Sequence, residues 1–278
     1  MTLDLWLTLI YDTKELEEYW KLRRLANVHR FVKRRTASAS GTGEPLSFND
    51  VRLAIEEMHG MISKGYESGL DVHPERRGRM LFEILGIRFA RDEEEKVWER
   101  AGRILSESGT RSRLPLLNPE AEPMLRRLKE DFPWIKIGLI SNAGRSAGTY
   151  SRILESLGIR KYFDSLVISC EVGFLKPRPE IFEHAVKSLS VEPSEVLHIG
   201  DSFRADAAGA VSFGMNAALY TGLWHRYEPR YGSVAEHIPR DFKAGRGLLV
   251  RTIPSLDDVP KLVRASGKGS GHRQGHPR

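Results

Sequence analysis

The chain has 278 residues, enough for one large domain or for a core with a substantial insertion. Hydrophobic residues make up 40% and charged residues 29%, a balance that supports a packed globular core and excludes disorder as the starting assumption. A single cysteine, Cys170, excludes an intrachain disulfide framework, and no apolar run approaches the roughly twenty residues of a membrane-spanning helix. The first residues offer no basic stretch followed by an apolar core, so no secretory leader is expected and a reducing cytoplasm is the natural location. Cys170 ends an apolar, strand-like run and is expected to be packing rather than chemistry.

The net charge of +6 raises the question of a nucleic-acid partner. Much of the excess is local: Lys21–Arg35 holds seven Lys/Arg and no acid, and Arg264–Arg278 holds four with no acid. The first run follows Glu15, Glu17 and Glu18, a polarity that complements a helix dipole. The second is rich in Gly, Ser and His and is expected to be a disordered basic tail over 264–278. Neither run carries aromatics arranged for base stacking, so no nucleic acid is expected as partner.

In chain order, Met1–Leu9 predicts a very short strand followed by a turn. Asp12, with Glu15 three residues on, predicts a helix N-terminus. Ser47 caps a second helix that places Val51, Ile55, Met58 and Ile62 on one face. A third helix is expected over Arg79–Leu85. A fourth starts at Asp92 and aligns Val97, Ala101, Ile104 and Leu105. No strand pattern interrupts this stretch, and Ser38–Gly43 has the composition of an exposed loop. The strand-and-helix alternation resumes at Leu114, with a helix start at Asn118-Pro119-Glu120. Trp134–Ile140 predicts a strand ending at Ser141, followed by a helix through Tyr150–Leu157 closed by Gly158. Leu166–Ser169 predicts a strand, Glu180–Leu189 a helix, and Val196–Ile199 a strand that ends at Gly200-Asp201. Asp206–Phe213 predicts a helix stopped by Gly214, and Ala217–Tyr220 a further strand. Such alternation implies a parallel sheet covered by helices on both faces, an α/β core.

Four short stretches carry the chemistry: Asp4-Leu5-Trp6-Leu7-Thr8, Ser141-Asn142, Lys176-Pro177, and Gly200-Asp201-Ser202 with Asp206. Each follows, or closely follows, a predicted strand. Parallel strands deliver their C-terminal ends to one edge of the sheet, where α/β folds bind ligands. A carboxylate, a hydroxyl, an ammonium and a second pair of carboxylates in one small volume would suit a phosphate held beside a divalent cation.

The order D-x-x-x-T, Ser after a strand, K-P-x-P and G-D-S-x-x-x-D resembles the haloacid dehalogenase-like hydrolases, over roughly Thr2 to Thr221. The resemblance implies a Rossmann-like core over 1–11 and 112–263 and an inserted α-helical cap domain of the C1 type over 12–111. It implies Asp4 as nucleophile, forming an aspartyl-phosphate. It also implies Ser141, Asn142 and Lys176 as phosphate-binding groups, with Lys176 pairing Asp4 as well. Asp4, Asp201, Asp206 and the backbone carbonyl of Trp6 would hold Mg²⁺. Arg23, Arg24, His29, Arg30 and Lys33–Arg35 are the place where an anionic tail of the substrate would be met.

Two departures from the family pattern stand out. Most phosphatases of the family carry a second Asp two residues after the nucleophile, as general acid and base. Here that position is Trp6, which transfers no proton at neutral pH, and losing such a group costs roughly a hundredfold to ten-thousandfold in rate. Only three residues precede Asp4, so either the first strand is truncated or the true start lies upstream. The leading expectation is a Mg²⁺-dependent phosphohydrolase of a small phosphorylated metabolite, monomeric or homodimeric. A 2-haloacid dehalogenase-type hydrolase and a non-catalytic binding module are the alternatives.

Overall fold

A computed structural model of the protein describes residues 1–39, 46–107, 113–223, 242 and 248–267. The chain opens with β1 (Thr2–Leu3) and β2 (Ile10–Tyr11), then runs through α1 (Lys14–Ala39), α2 (Phe48–Glu67), α3 (Pro74–Ile84) and α4 (Arg91–Glu107). It continues with β3 (Leu116–Leu117), α5 (Ala121–Asp131), β4 (Gly138–Ser141), α6 (Ala147–Ser156), β5 (Ser165–Ile168), α7 (Ser169–Val172) and α8 (Pro179–Leu189). The last elements are β6 (Leu197–Gly200), a π-helical turn (Phe203–Ala208) running into α9 (Gly209–Phe213), β7 (Asn216–Tyr220), β8 (Val250–Ile253) and α10 (Val259–Gly267).

All pairings in the main sheet are parallel, in the order β5-β4-β1-β6-β7-β8. Two residues suffice for β1 because it lies between two longer strands: Thr2 pairs with Gly138 on one side and with His198 on the other. Alternate residues feed two cores. Leu139, Ile199 and Ala218 join one apolar cluster, while Ile140, Ala217 and Leu219 join a second, as expected for a sheet covered on both faces.

The helices α1–α4 bury a third cluster of their own. In α2 the capping box is complete: Asp50 N–H donates to Ser47 Oγ at 3.2 Å, and Ser47 N–H to the Asp50 carboxylate at 2.8 Å. The helix then buries Val51, Ala54, Ile55, Met58 and Ile62. Burial of each larger side chain is worth about 1.5–3 kcal/mol. Helices α3 and α4 cross at two glycines. A Cβ on Gly78 would lie 2.1 Å from Trp98 O, and one on Gly102 would lie 2.0 Å from Pro74 O. The chain enters and leaves this helical region through an antiparallel ribbon, Ile10 opposite Leu117 and Tyr11 opposite Leu116. Asn118 locks that ribbon, its Nδ2 donating to Thr8 O at 2.8 Å and to Tyr220 Oη at 2.9 Å.

Several local expectations are corrected. The first helix begins one residue later than an Asp12 cap implies, with Leu16 N–H donating to Thr13 Oγ1 at 3.3 Å. It also continues through Ala39, into the segment expected as loop, whose residues 40–43 lie outside the described residues. The third helix starts at Pro74, because proline at its first position is pre-organised for a helix. At Asn118-Pro119-Glu120 that same preference yields only a turn, and α5 starts at Ala121. The strand expected from Trp134 narrows to Gly138–Ser141, and Trp134 is 78% exposed. Cys170 lies in α7 rather than at a strand end; it is buried, and burial pushes its thiol up to about 12. The expected core boundary at 263 and the tail from Arg264 both fall inside α10, whose Arg264 pairs with Asp131 at 2.5 Å. Of that tail, 268–278 lies outside the described residues, as does the expected boundary at 111–112.

Candidate active site

The four stretches meet at one sheet edge. Asp4 leaves β1 with its N–H on Ile199 O at 2.8 Å, and its carboxylate receives Lys176 Nζ at 2.6 Å. The same ammonium donates to Asp206 Oδ1 at 2.5 Å and to Ile140 O at 3.0 Å. Its three hydrogens therefore have three buried acceptors. Asp201 completes the group: Asp4, Asp201 and Asp206 each place a carboxylate oxygen within 4.8 Å of the others.

Burial controls the charges. It pushes Asp4 up to about 6, with Lys176 opposing the rise and Asp206 adding to it. Burial, then the Asp4 and Asp206 charges, drive the Asp201 carboxyl well above the carboxylate range. Burial also acts on Asp206, but Lys176 and His198 outweigh it and hold that carboxyl well below the usual range. Burial alone would discharge Lys176, yet Asp206 and Asp4 keep its ammonium above the ordinary lysine value. The resting cluster has one buried cation among three carboxylates, and hard oxygen donors with uncompensated charge suit a divalent ion such as Mg²⁺.

The donors are not equivalent. Asp206 Oδ1 already accepts from Lys176 and from His198 Nε2 at 2.9 Å, and its Oδ2 accepts from Ser202 N–H at 3.0 Å. Asp4 and Asp201 have the freer oxygens, so Asp206 is better placed to orient Lys176 than to bind a metal directly. Gly200 permits this geometry, since a Cβ there would fall 2.2 Å from Asp206 Cγ.

Asn142 holds Lys176 in position through paired contacts, Lys176 N–H to Asn142 Oδ1 at 2.7 Å and Asn142 Nδ2 to Lys176 O at 3.0 Å. It does not lie at a helix start, because α6 begins at Ala147 behind the Ser146 cap. Ser141 Oγ and Thr8 Oγ1 are buried hydroxyls without a protein partner. A hydroxyl held dry and unpaired is costly, and a ligand oxygen would satisfy it. Trp6 spends its indole N–H on Tyr150 Oη at 3.1 Å and meets Trp20 edge-on at 6.2 Å.

A family profile described as haloacid dehalogenase-like hydrolase matches residues 2–214. The chain belongs to the haloacid dehalogenase-like hydrolases. It is 35% identical over 123 residues to haloacid dehalogenase-like hydrolase domain-containing protein 3 of Mus musculus, a match covering 44% of this chain and 45% of that protein. The chain thus spans less than half the length of that relative. It is 28% identical over 179 residues to the glyceraldehyde 3-phosphate phosphatase of Methanopyrus kandleri, covering 64% of this chain and 72% of that protein. Its fold matches a 2-haloacid dehalogenase of Pseudomonas syringae pv. Tomato with TM-score 0.60 at 18% identity, over 95% of this chain and 97% of that one. At that identity the likeness extends to the fold alone.

In this haloacid dehalogenase-like chain the helical region packs against the site. Asp71, between α2 and α3, receives Ser169 Oγ at 2.5 Å, and Leu175 N–H reaches Gly69 O at 2.8 Å, one residue before Lys176. An open cavity of about 600 Å³ lies there, lined by Tyr66, Ser68, Asn142, Lys176, Arg178 and Arg204 among others. Of the basic residues expected to meet an anionic tail, Arg23, Arg30 and Lys33–Arg35 are exposed and His29 contacts Phe48 edge-on at 5.4 Å; Arg24 is drawn inward. Sequence reasoning missed His198, Asp71, Arg77 and Arg145. His198 has a signal in hindsight, a lone polar residue in an otherwise apolar strand leading to Gly200-Asp201. Among the described residues no helix is long and apolar enough to cross a membrane.

Proposed function

We propose that the protein is a Mg²⁺-dependent phosphohydrolase of a small phosphorylated metabolite, working through an aspartyl-phosphate on Asp4. The observation that carries the reading is the single ammonium of Lys176 shared between Asp4 and Asp206, with Asp201 in the same cluster. Asp4 is the nucleophile: its carboxylate attacks phosphorus and the leaving oxygen departs with the substrate's remainder. Lys176 offsets the charge that moves onto the phosphoryl oxygens, and Ser141 donates its otherwise unpartnered hydroxyl to them. Asn142 keeps the Lys176 segment in register. Asp4, Asp201 and the Trp6 carbonyl would hold the metal, with Asp206 orienting the cluster. When bound, Mg²⁺ supplies charge neutralisation for phosphoryl and nucleophile oxygens. Helices α1–α4 act as a cap over this chemistry and choose the substrate, which the contacts of Asp71 and Gly69 with the core support. The phosphatase name of the Methanopyrus kandleri relative supports the same reaction class.

The test is phosphate release from para-nitrophenyl phosphate and a panel of phosphorylated metabolites, with Mg²⁺ and with EDTA. Release should require Mg²⁺ and fall by at least about a thousandfold in Asp4→Asn, which keeps the shape and removes the attacking charge. Full activity in that variant, or halide release from a 2-haloacid in EDTA with no phosphate release, would overturn the reading.

A further inference from the structure

Three arginines from three separate elements converge beside the candidate active site. Arg24 comes from α1, Arg77 from α3, and Arg145 from the loop that leaves Ser141-Asn142. Arg24 feels its own burial first and then the charges of Arg145 and Arg77, which together lower its guanidinium to about 10, still charged at neutral pH. His59 is lowered by its burial and by Arg24 and Arg77, so it adds no further positive charge there at neutral pH.

Compensation is incomplete. Asp71 serves Arg77, at 2.7 Å, and Arg77 also donates to Val72 O at 2.8 Å. Arg24 and Arg145 form no ion pair among the described residues, and the Nε of each is buried without a hydrogen-bond partner. Several helix arginines do have carboxylate partners: Arg52 with Glu56, Arg79 with Glu83 and Arg126 with Glu130 are exposed pairs one helical turn apart. Arg24 and Arg145 differ from the exposed arginines in being half-buried, each with a buried Nε that has no partner. Burying like charges together with open donors is costly unless an anion completes the site.

Position links the trio to the reaction. A Cβ on Gly144 would fall 2.4 Å from Arg77 Nη1, so that guanidinium lies against the backbone two residues beyond Asn142. Arg145 stacks over Trp20 with its guanidinium 5.4 Å from the ring centre, and Trp20 contacts Trp6, two residues after Asp4. Tyr150, which receives the Trp6 indole N–H, acts electrostatically on Arg24.

We infer that Arg24, Arg77 and Arg145 form a second oxyanion subsite, and that the substrate carries a carboxylate or a further phosphate in addition to the phosphoryl group transferred to Asp4. The inference rests on the phosphohydrolase reading and names the substrate class within it. Guanidinium groups suit either anion, because their planar donors can bind two oxygens at once. Arg77 is prepositioned by Asp71, while Arg24 and Arg145 keep free donors for the ligand. The placement also explains why one arginine of the basic run in α1 turns inward when its neighbours face solvent.

Binding decides the matter without relying on turnover. Isothermal titration with Mg²⁺ present would compare phosphonoacetate, phosphonopropionate and phosphonobutyrate with the alkylphosphonates of matching chain length. Alkylene bisphosphonates form the parallel arm. At the length that spans the two sites, the doubly anionic probe should bind about tenfold tighter or more than its neutral-tailed match, the gain of a charge-assisted contact. Which arm gains more identifies carboxylate or phosphate. In Arg24→Gln and Arg145→Gln that ratio should collapse toward one, and Arg24→Lys should restore part of it. Equal binding of both probe types to the wild-type protein at every length would overturn the subsite while leaving the phosphohydrolase reading intact. An unchanged ratio in both glutamine variants would do the same. Failure of all phosphonates to bind, together with no phosphate release from aryl phosphates, would overturn both.

Discussion

His198 bridges Asp206 and the first strand from inside the sheet, with Nε2 at 2.9 Å from Asp206 Oδ1 and Nδ1 at 2.9 Å from Thr2 Oγ1. The ring is wholly buried, and burial lowers its proton affinity despite the Asp206 carboxylate. A neutral ring facing a carboxylate must present its N–H there. Nε2 therefore donates to Asp206, and Nδ1 accepts from the Thr2 hydroxyl.

His198→Phe retains an aromatic ring beside Phe182, whose centroid is 5.5 Å from the imidazole. It removes the donor to Asp206 and leaves Thr2 Oγ1 without its partner. Stability should fall by about 1–3 kcal/mol in chemical denaturation. On the proposed reaction, the Mg²⁺ concentration for half-maximal rate should rise as Asp206 loses one of its anchors. An unchanged denaturation midpoint would show that the His198–Asp206 contact contributes nothing net.

Lys176→Met should be the most damaging single change in the core. It leaves buried Asp4 and Asp206 and half-buried Asp201 with no ammonium, and breaking such a group costs about 3–5 kcal/mol. The cost should depend on pH with a definite sign. Asp206, depressed in the folded state by Lys176 among others, contributes stability above the ordinary carboxylate range that is lost as pH falls. Asp4, raised to about 6, opposes folding once the pH rises from the ordinary carboxylate value through 6, and more so without Lys176. Both effects make the variant's deficit largest at neutral pH and smallest in acid. Urea midpoints of both proteins across this range would reveal the trend, and a constant gap would contradict it.

Mg²⁺ should raise the melting temperature, and the rise should shrink as pH falls below about 6. A metal bound by Asp4 and Asp201 must displace the protons that burial retains on them, so acid competes with the ion. Thermal melts with Mg²⁺ or EDTA at several pH values would measure the competition. Equal stabilisation in acid and at neutral pH would place the ion away from these carboxylates.

Gly78→Ala tests the closeness of α3 to α4. The added methyl meets backbone, the carbonyl of Trp98, rather than a movable side chain, so the helices must separate. An overpacking cost of about 1–3 kcal/mol outweighs the roughly 1 kcal/mol that alanine gains over glycine in a helix. A melting temperature at or above wild type would refute the close crossing.

The convergence of the candidate site residues was more legible in the sequence than their setting. Asp4, Ser141, Lys176, Asp201 and Asp206 lie in short motifs that follow apolar strands, and parallel topology carries them to a common edge whatever the loops do. The apolar face of α2 was equally legible from its spacing. What escaped depends on contacts between distant segments. Val250–Ile253 is a strand because β7 is beside it, and its burial pattern has no clear alternation. Gly78 and Gly102 resemble helix weaknesses until the two backbones touch. Arg77 and Arg145 resemble ordinary surface arginines, and only the fold brings them to Arg24.

Trp6 should leave a kinetic signature. On the proposed reaction, the first step needs an aligned carboxylate and a departing oxygen, and a low-pKa leaving group departs without a proton donor. The second step needs water activated near the phosphorylated Asp4. Trp6 is a donor only, and its N–H is already committed to Tyr150 at 3.1 Å. Breakdown should therefore be the slow step, with turnover reduced by roughly a hundredfold or more against relatives that carry the acid. With aryl phosphates a phosphoenzyme should accumulate on Asp4, whereas alkyl phosphates, whose leaving group finds no proton donor, should be limited by the first step and turn over more slowly. Rapid quench with labelled aryl phosphate would measure it, and Asp4→Asn should abolish the label. Trp6→Asp supplies a base but also removes the ring that contacts Trp20, so its breakdown rate is to be compared with that of Trp6→Phe. Absence of any phosphoenzyme, together with equal rates for alkyl and aryl phosphates, would mean that another residue performs the proton transfer.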